Sequence, residues 1–280
     1  MNANYSICGK RILIESPRTI TEHENFDLFA VEGVKADIHI TYNIVNKLPS
    51  TPGNGKASRS GAVISHDGDM IYHNNPMGTL EGALSCYNAK DTSTSQVYFT
   101  DESYEVMSDF RYMWNSVSLG QLLLPFNILL FHASYISVNG EAILFTANCG
   151  VGKSTQADLW RKYKGAEVIN GDKAGVSVEE DGVYAHGLPF CGTSGICKNK
   201  SMPLKAIVLL GQAPENTIRQ VTGIEAIQSL LGNIYLDYIA PGETQKCVDV
   251  LLNLLNTVPV YRLDCTPDER AVETLALQLG

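Results

Sequence analysis

The 280-residue chain has 44% hydrophobic and 18% charged residues, a balance typical of a packed globular protein and not of a disordered one. Its length allows two domains, or one large domain with an extension. The formal net charge of -9 argues against a nucleic-acid-binding surface over the whole protein, because phosphate backbones repel it.

Cysteine usage and apolar runs bear on the compartment. The seven cysteines are an odd number without a Cys-x-x-Cys pair, which favours neither a disulfide framework nor a zinc site. Residues 1–5 lack the basic and apolar regions of a signal peptide. The longest apolar run, 122–131, is interrupted by Pro125 and Asn127 and is too short to cross a bilayer, so it predicts a buried helix end. We therefore expect a cytoplasmic protein that does not enter the membrane.

Residues 1–125 are predicted to form a β-rich N-terminal region. Apolar and polar residues alternate from Ala36 to Ile44, the spacing of a half-buried strand. Asp67-Gly68 lies between two apolar runs and predicts a hairpin. From Tyr104 to Leu130 apolar residues recur at helical spacing, which predicts helical structure linking this region to the next.

Residues 126–280 are predicted to form a second, α/β domain, because strands and helices alternate from about residue 128. Asn139-Gly140 separates two apolar runs, a strong hairpin signal, and Asp181-Gly182 predicts a second hairpin. The later pattern predicts a buried strand over 206–210, helices over 222–231 and 243–255, a strand over 258–263 and a closing helix over 267–277.

The most informative segment lies between the first of these hairpins and a helix-like stretch that begins near Gln156. An apolar strand, a glycine-rich turn and a helix in this order are the context that a phosphate-binding loop requires. The residues expected to bind the phosphates of a nucleotide are Asn148, Cys149, Gly150, Val151, Gly152, Lys153, Ser154 and Thr155. The alternative is a glycine-rich turn with a surface lysine, which the flanking strand and helix disfavour.

Each residue type in this loop has a physical reason. Gly150 and Gly152 let the backbone curl so that successive N–H groups point at phosphate oxygens. The helix N-terminus adds a partial positive charge and Lys153 a full one, while the Ser154 hydroxyl is a suitable ligand for Mg²⁺. Ala147 stands where the usual pattern begins with glycine, and the loop tolerates alanine if φ is negative there.

An ordered series of motifs extends this pattern: Phe131-His132-Ala133-Ser134, the Asn139-Gly140 hairpin, the glycine loop and Ile169-Asn170-Gly171-Asp172. The series resembles the catalytic domain of HPr kinase/phosphorylase and its shorter relatives, which share a fold with phosphoenolpyruvate carboxykinase. The resemblance covers residues 128 to about 190 by motif, and more loosely the rest to 280. It implies an α/β P-loop domain, a mixed sheet with flanking helices. The first 125 residues do not look like the amino-terminal domain of true HPr kinases.

The resemblance also implies site residues. His132 matches the family histidine near the transferred phosphate, and Asp172 matches the second carboxylate of an Asp-Asp pair. Gly171 stands where the first carboxylate would be, so either the metal role or the base role passes elsewhere. We expect Asp172 to stay near Mg²⁺, and the candidates for a replacement base are Asp158, Glu179 and Glu243. The alternatives are a plain turn residue for Asp172 and a satisfied, partly buried side chain for His132.

Weaker candidates lie beyond the second hairpin. Lys198 and Lys200 follow a run of small residues and are candidates for holding an anionic acceptor, or else are solvated loop lysines. His186 follows a predicted strand and is a candidate to face the cleft. Arg262 is interpreted as an edge-strand charge.

The leading hypothesis is a phosphotransferase that uses ATP, or another nucleoside polyphosphate, with Mg²⁺. Its catalytic residues would be Lys153, His132 and Asp172, with Ser154 and Asp172 as metal ligands. The acceptor would be a hydroxyl in a peptide, a protein or a small molecule. Family relatives often assemble, so the resemblance is compatible with a homo-oligomer.

Three other functions compete with this hypothesis. A nucleotide-binding regulatory or assembly protein that has lost catalysis is supported by the missing carboxylate at Gly171. A phosphoenolpyruvate carboxykinase-like lyase is disfavoured, because such enzymes are longer and use a transition metal and several arginines. An ordinary ATPase or GTPase is disfavoured by the hairpin before the loop.

Overall fold

A computed structural model describes residues 1–19, 23–33, 35–58, 61–77, 80–107, 114, 116–236 and 241–280. They form two compact units, one of residues 1–125 and 236–246, the other of residues 126–235 and 247–280. Each unit contains one mixed sheet with flanking helices, so the chain is a mixed α/β protein. Within the described ranges, no helix combines the length and apolar character that crossing a bilayer demands.

The first unit is built on an eight-stranded sheet. Its strands are β1 (Asn2–Ile7), β2 (Lys10–Glu15), β3 (Ile38–Val45), β4 (Lys56–Ala57), β5 (Val63–Asp67), β6 (Met70–Met77), β7 (Leu80–Asn88) and β8 (Asp91–Thr100). The strand order is β1-β2-β3-β8-β7-β6-β5-β4, and β3 is parallel to both of its neighbours. The predicted strand over 36–44 is confirmed as β3, and the predicted hairpin at Asp67-Gly68 is confirmed between β5 and β6.

Short helices accompany this sheet: α1 (Glu24–Asp27), α2 (Asp101–Met107) and α3 (Leu119–Leu123), the last followed by a 3-10 turn over Leu124–Phe126. The helical prediction for 104–130 is therefore confirmed only in part, and residues 108–113 and 115 of it lie outside the described residues. Its last three residues belong to a strand, so the interpretation of 122–131 as a helix end is wrong beyond residue 126. A continuous apolar run is the same signal for a buried strand as for a buried helix.

The second unit contains the other eight strands. They are β9 (Ile128–Val138), β10 (Glu141–Thr146), β11 (Glu167–Asn170), β12 (Lys173–Val178), β13 (Val183–His186), β14 (Ser201–Gln212), β15 (Thr217–Val221) and β16 (Val260–Cys265). Its helices are α4 (Lys153–Lys164), α5 (Gly223–Leu231), α6 (Pro241–Leu255) and α7 (Glu269–Leu279), with a 3-10 turn over Gly192–Ser194. The stretch 241–246 of α6 belongs to the first unit.

Two long strands organise this sheet. The first half of β9 pairs with β12 and its second half with β10 and β11. Likewise β14 pairs first with β13, then with β10 and β16. The pairings β9–β10, β10–β14, β14–β13, β13–β12 and β12–β9 close a ring of five strands.

Three parallel strands of the second unit, β10, β14 and β16, end at the same edge. In α/β folds with open sheets and with closed ones, ligands commonly bind outside the carboxyl ends of parallel strands. The antiparallel β15 covers β16 on its other side, so the interpretation of Arg262 as an edge-strand charge is wrong. Arg262 instead donates from Nε to Oδ1 of Asp264, at 2.8 Å, within the interior strand.

Helices α4 and α7 cover one face of this sheet. Trp160 of α4 and Leu275 of α7 are buried in one apolar core with Phe145 of β10 and Leu263 of β16. Burying such side chains is the main favourable term in folding, at roughly 1.5–3 kcal/mol each. The core therefore fixes both helices relative to the strand ends, and α4 begins where β10 has just ended.

Candidate functional site

The glycine-rich segment joins β10 to α4. Gly150 has a φ of 80° and Gly152 a φ of 121°, values that side chains other than glycine rarely adopt. Ala147 is buried and keeps a negative φ, so alanine satisfies the backbone at the position where glycine is usual. The local geometry thus accounts for the small residues at positions 147, 150 and 152.

The backbone N–H groups of this segment point to few protein acceptors. Val151 N–H donates to the Asn148 carbonyl at 3.4 Å, and Gln156 N–H to the Gly152 carbonyl at 2.9 Å. Among the described residues, no protein acceptor is within hydrogen-bond distance of the N–H groups of residues 149, 150 and 152–155. Every helix leaves its first N–H groups unpaired, and here the turn adds two more. This row of donors at a helix N-terminus is suited to binding an anion.

Lys153 lies inside the curve of the segment. The residue is only 8% exposed, and Nζ donates a hydrogen bond to the Ala147 carbonyl at 3.2 Å. Burial lowers the pKa of Lys153, while the nearby Asp172 and Cys149 act in the opposite direction. The ammonium is therefore held against the loop, where burial strengthens its interaction with any bound anion.

A cavity of about 580 Å³ opens on one side of the loop, at the ends of β14 and β16. It is lined by Gly150, Val151, Gly152, Thr155, Gln156, Leu210, Gln212, Ala213, Pro214, Cys265, Thr266 and Pro267. Gln212 Nε2 donates to the Val151 carbonyl at 3.3 Å, which connects the end of β14 to the loop. The volume lies within the range of small-molecule sites.

His132 and Asp172 lie together beside the start of the loop. The Thr146 hydroxyl donates to the His132 carbonyl at 2.9 Å, which places His132 next to the last residue before the loop. His132 Nε2 is 3.2 Å from Asp172 Oδ1, and both side chains are 27% exposed. The hydrogen bond from His132 holds the pKa of Asp172 below its usual range against the effect of burial, with help from Lys173 and Lys153. One cluster thus contains a carboxylate, an imidazole and two ammonium groups.

A fully buried asparagine shapes the turn that presents Asp172. Asn170 Nδ2 donates to the carbonyls of Leu188 and Phe190, at 2.9 and 2.8 Å. Its Oδ1 accepts the N–H groups of Asp172 and Lys173, both at 2.9 Å. All the hydrogen-bonding capacity of the side chain is used. The position of Asp172 therefore depends on Asn170.

Gly171 occupies the place of the expected first carboxylate, and the structure gives a reason for its size. A Cβ atom on Gly171 would overlap Oγ and Cβ of Ser194, in the 3-10 turn after β13. Ser194 is fixed there, since its hydroxyl donates to the Cys191 carbonyl at 2.7 Å. The space that a carboxylate would need at position 171 is filled by this turn.

Two aromatic rings and a lysine complete the cluster. Lys173 Nζ lies 5.4 Å from the ring centroid of Phe190 and 5.0 Å from that of Tyr235. The Tyr235 ring also lies 5.9 Å from the imidazole of His132. Burial lowers the pKa of Lys173, and Asp172 opposes this shift.

Several sequence candidates have other roles. Lys198 and Lys200 both bind Glu167, with Nζ–Oε distances of 2.8 and 2.7 Å, so part of their charge is already neutralised. His186 is buried in a polar network, with Ser177 Oγ 2.8 Å from Nε2 and Ser201 Oγ 2.7 Å from Nδ1. The prediction that His186 faces the cleft is therefore not supported by its contacts.

The three candidates for a replacement base also have separate partners. Asp158 binds Arg161 at 2.8 Å on the surface of α4. Glu179 accepts the Ser177 hydroxyl at 2.6 Å, and Glu243, in the first unit, accepts the Tyr87 hydroxyl at 2.6 Å. None of the three is among the groups whose charge acts on Asp172.

Sequence reasoning missed Asn170, Lys173 and Tyr235 as parts of the site. Lys173 directly follows Asp172, and an Asn two residues before an Asp in a turn is a local signal for the hydrogen bond from Asn170. No local signal marks Tyr235, which reaches the cluster because the Asn233 carbonyl accepts the His132 N–H at 2.8 Å.

No protein-family model matches the sequence, and no curated protein matches it. Among solved structures, the chain is similar to the HPr(Ser) kinase/phosphatase from Coxiella burnetii, with 12% identity over 54% of this chain and 92% of that one. The TM-score is 0.31.

Proposed function

We propose that this protein is a phosphotransferase that uses Mg-ATP and transfers the γ-phosphate to a hydroxyl acceptor. The proposal includes a P-loop domain of the HPr kinase type over residues 126–280, preceded by the β-rich region 1–125. The observation that carries it is the row of unpaired N–H groups around Lys153, directly beside the His132–Asp172 pair. Phosphoryl transfer needs donors that bind the phosphates and a group that takes the proton of the acceptor, and both kinds of group lie together here.

The loop would bind the polyphosphate. The unpaired N–H groups of residues 149, 150 and 152–155 would donate to the phosphate oxygens, with the helix N-terminus of α4 adding its partial charge. The Lys153 ammonium would hold the β- and γ-phosphates, where its charge stabilises the transferring group. The cavity beside Gly150 and Gln212 has the size for the nucleoside.

Mg²⁺ fits the donor set in part. The Asp172 carboxylate and the exposed Ser154 hydroxyl are hard oxygen donors, which Mg²⁺ prefers, and His132 engages only Oδ1 of Asp172. Among the described residues no group of three or more His, Cys, Asp or Glu side chains is placed to hold a metal, so phosphate and water would supply the other ligands. When bound, the ion neutralises charge on the phosphates.

The protein residues would then position the acceptor and handle its proton. The acceptor oxygen forms a bond to the γ-phosphorus while the bond from that phosphorus to the bridging oxygen of ADP breaks. The hydroxyl proton would pass to Nδ1 of His132, while Nε2 donates its own hydrogen to Oδ1 of Asp172 at 3.2 Å and the carboxylate stabilises the imidazolium that forms. This pair would take over the base role for which the family pair of carboxylates has two members and this chain, with Gly171, has one.

Nucleotide-dependent stabilisation tests the proposal. Lys153→Ala should remove most of the rise in melting temperature that Mg-ATP produces in the wild type. A ligand at 100 times its Kd stabilises by about 2.7 kcal/mol, so the effect is measurable. Lys164→Ala is the matched control, because Lys164 lies at the other end of α4 and binds Glu273 at 2.8 Å. An unchanged shift in Lys153→Ala would contradict the whole scheme.

A second candidate function has a specific observation in its favour. The Ser194 turn fills the space of the missing carboxylate at Gly171, which is expected of a nucleotide-binding regulatory or assembly protein without catalysis. Transfer of radiolabel from γ-labelled ATP to serine, a peptide pool or a small-molecule library distinguishes the two. Stabilisation by Mg-ATP without any transfer would favour the regulatory protein.

A further inference from the structure

Lys173 lies on the same face of the sheet as the candidate catalytic pair. It opens β12 and is the register partner of His132 on β9, and partners in an antiparallel pair project to the same side. The Tyr235 ring borders both side chains, 5.9 Å from the imidazole and 5.0 Å from Nζ. Lys173 is therefore a neighbour of any group that reacts beside His132.

The ammonium of Lys173 is held by rings. Phe190 and Tyr235 both lie within the roughly 6 Å at which an aromatic face attracts a cation. In the described part of the chain, Nζ makes no hydrogen bond and no ion pair. An ammonium has three N–H donors and a ring face satisfies them poorly, so these donors suit an oxyanion.

Two lysine side chains face the single carboxylate of Asp172, so one positive charge has no negative counterpart in this cluster. Lys153 and Lys173 both act on this single carboxylate, since Gly171 carries no side chain. In the proposed function Lys153 binds the polyphosphate, and its Nζ donates to the Ala147 carbonyl within the loop. Lys173 belongs to β12, whereas Lys153 belongs to α4. The Nζ of Lys173 contacts the rings of Phe190 and Tyr235. A second anion, separate from the nucleotide, would balance it.

We propose that Lys173, with Phe190 and Tyr235, forms an anion subsite that holds a carboxylate or phosphate group of the acceptor next to its reacting hydroxyl. This inference rests on the proposed phosphotransferase function and narrows its acceptor to anionic hydroxyl compounds. The Lys173 ammonium stays charged and intact, and its role is to bind and orient. It differs from Lys153 in that it would recognise the acceptor and not ATP.

Anion binding to the nucleotide complex tests the subsite. The full chain is saturated with Mg²⁺ and β,γ-imido-ATP, so that the γ-phosphate position is filled. Inorganic phosphate and acetate are then titrated separately at constant ionic strength, and the melting temperature gives an apparent Kd for each. We expect saturable further stabilisation, and the two titrations distinguish a phosphate-bearing from a carboxylate-bearing acceptor.

Variants identify the residue responsible. Lys173→Met should lower the affinity for the anion at least about tenfold, because a hydrogen bond from a charged group is lost. Lys173→Gln is a second neutral variant, used in case the first folds poorly. Tyr235→Leu should lower the affinity for the anion about two- to fivefold. Lys205→Met is the control, since this half-buried lysine binds Glu141 at 2.9 Å and should leave the titration unchanged.

Three results would overturn the inference, each with its own pattern. In the first, neither phosphate nor acetate stabilises the wild type in a saturable way. In the second, Lys173→Met and Lys173→Gln bind the anion with the affinity of the wild type. Alternatively, both variants would lose about tenfold in affinity for β,γ-imido-ATP itself, which would assign Lys173 to the nucleotide. Failure of the proposed function looks different, because the wild type would then not be stabilised by β,γ-imido-ATP at all.

Discussion

Replacing Asn170 by alanine would test how the site is held in place. The side chain makes four hydrogen bonds, of 2.8 to 2.9 Å, and is fully buried. At about 1 kcal/mol net for each bond, Asn170→Ala should lower the free energy of unfolding by about 4 kcal/mol. This is a large part of the roughly 5–15 kcal/mol that stabilises a typical domain. The N–H groups of Asp172 and Lys173 would lose their acceptor, so Asp172 should also leave its position.

Urea unfolding followed by tryptophan fluorescence measures this loss. The chain has two tryptophans, and in a Trp114→Phe background the buried Trp160, which packs against Phe145, reports on the second unit. Asn233→Ala is the control, because the Asn233 side chain makes one hydrogen bond, to the Ser229 carbonyl at 2.9 Å, and should cost about 1 kcal/mol. Equal losses in the Asn170 and Asn233 variants would refute the view that Asn170 fixes the turn.

Three more predictions follow from the same unit. Gly171→Asp must displace Ser194, so it should cost about 1–3 kcal/mol and not increase phosphate transfer, which denaturation and radiolabel assays check. Burial lowers the pKa of His186 from 6.5 to about 4. Between these pH values His186 is therefore protonated in the unfolded chain and neutral in the folded unit. Stability should therefore fall by up to about 3 kcal/mol as the pH drops through this window, and His186→Gln should flatten the profile. Cys149 is the exposed cysteine of the described residues, so iodoacetamide should modify it first. Mg-ATP at ten times its Kd should slow this modification about tenfold, and peptide mapping measures both effects.

Local signals predicted the parts of the fold that depend on local geometry. Asn139 and Gly140 adopt φ values of 53° and 81°, as the tight turn between β9 and β10 requires, so this dipeptide predicted the hairpin. The start of β9 was not predicted because both of its faces are buried, so its residues are continuously apolar and lack the alternation of apolar and polar residues that marks a half-buried strand. The first residues of β14, from Ser201, were missed because polar and apolar residues mix there before the buried run begins.

The same division applies to the candidate site. The loop around Lys153 was predictable because the strand, the glycines and the helix are consecutive in the chain. The Lys173–Tyr235 contact was not, since it depends on how the segment after α5 returns to β9. The reason for Gly171 was equally hidden, because Ser194 belongs to a later turn and meets it only in the folded unit.

The closed ring of strands has a consequence for how this protein tolerates insertions and deletions. β9 carries His132 in its pairing with β12 and leads, through its pairing with β10, to the glycine-rich segment before α4. Side chains along a strand alternate between faces, so one added or lost residue between these two stretches would turn His132 away while leaving the loop unchanged. Length variation among homologues should therefore be absent from this strand and collect in surface turns such as Asp181-Gly182.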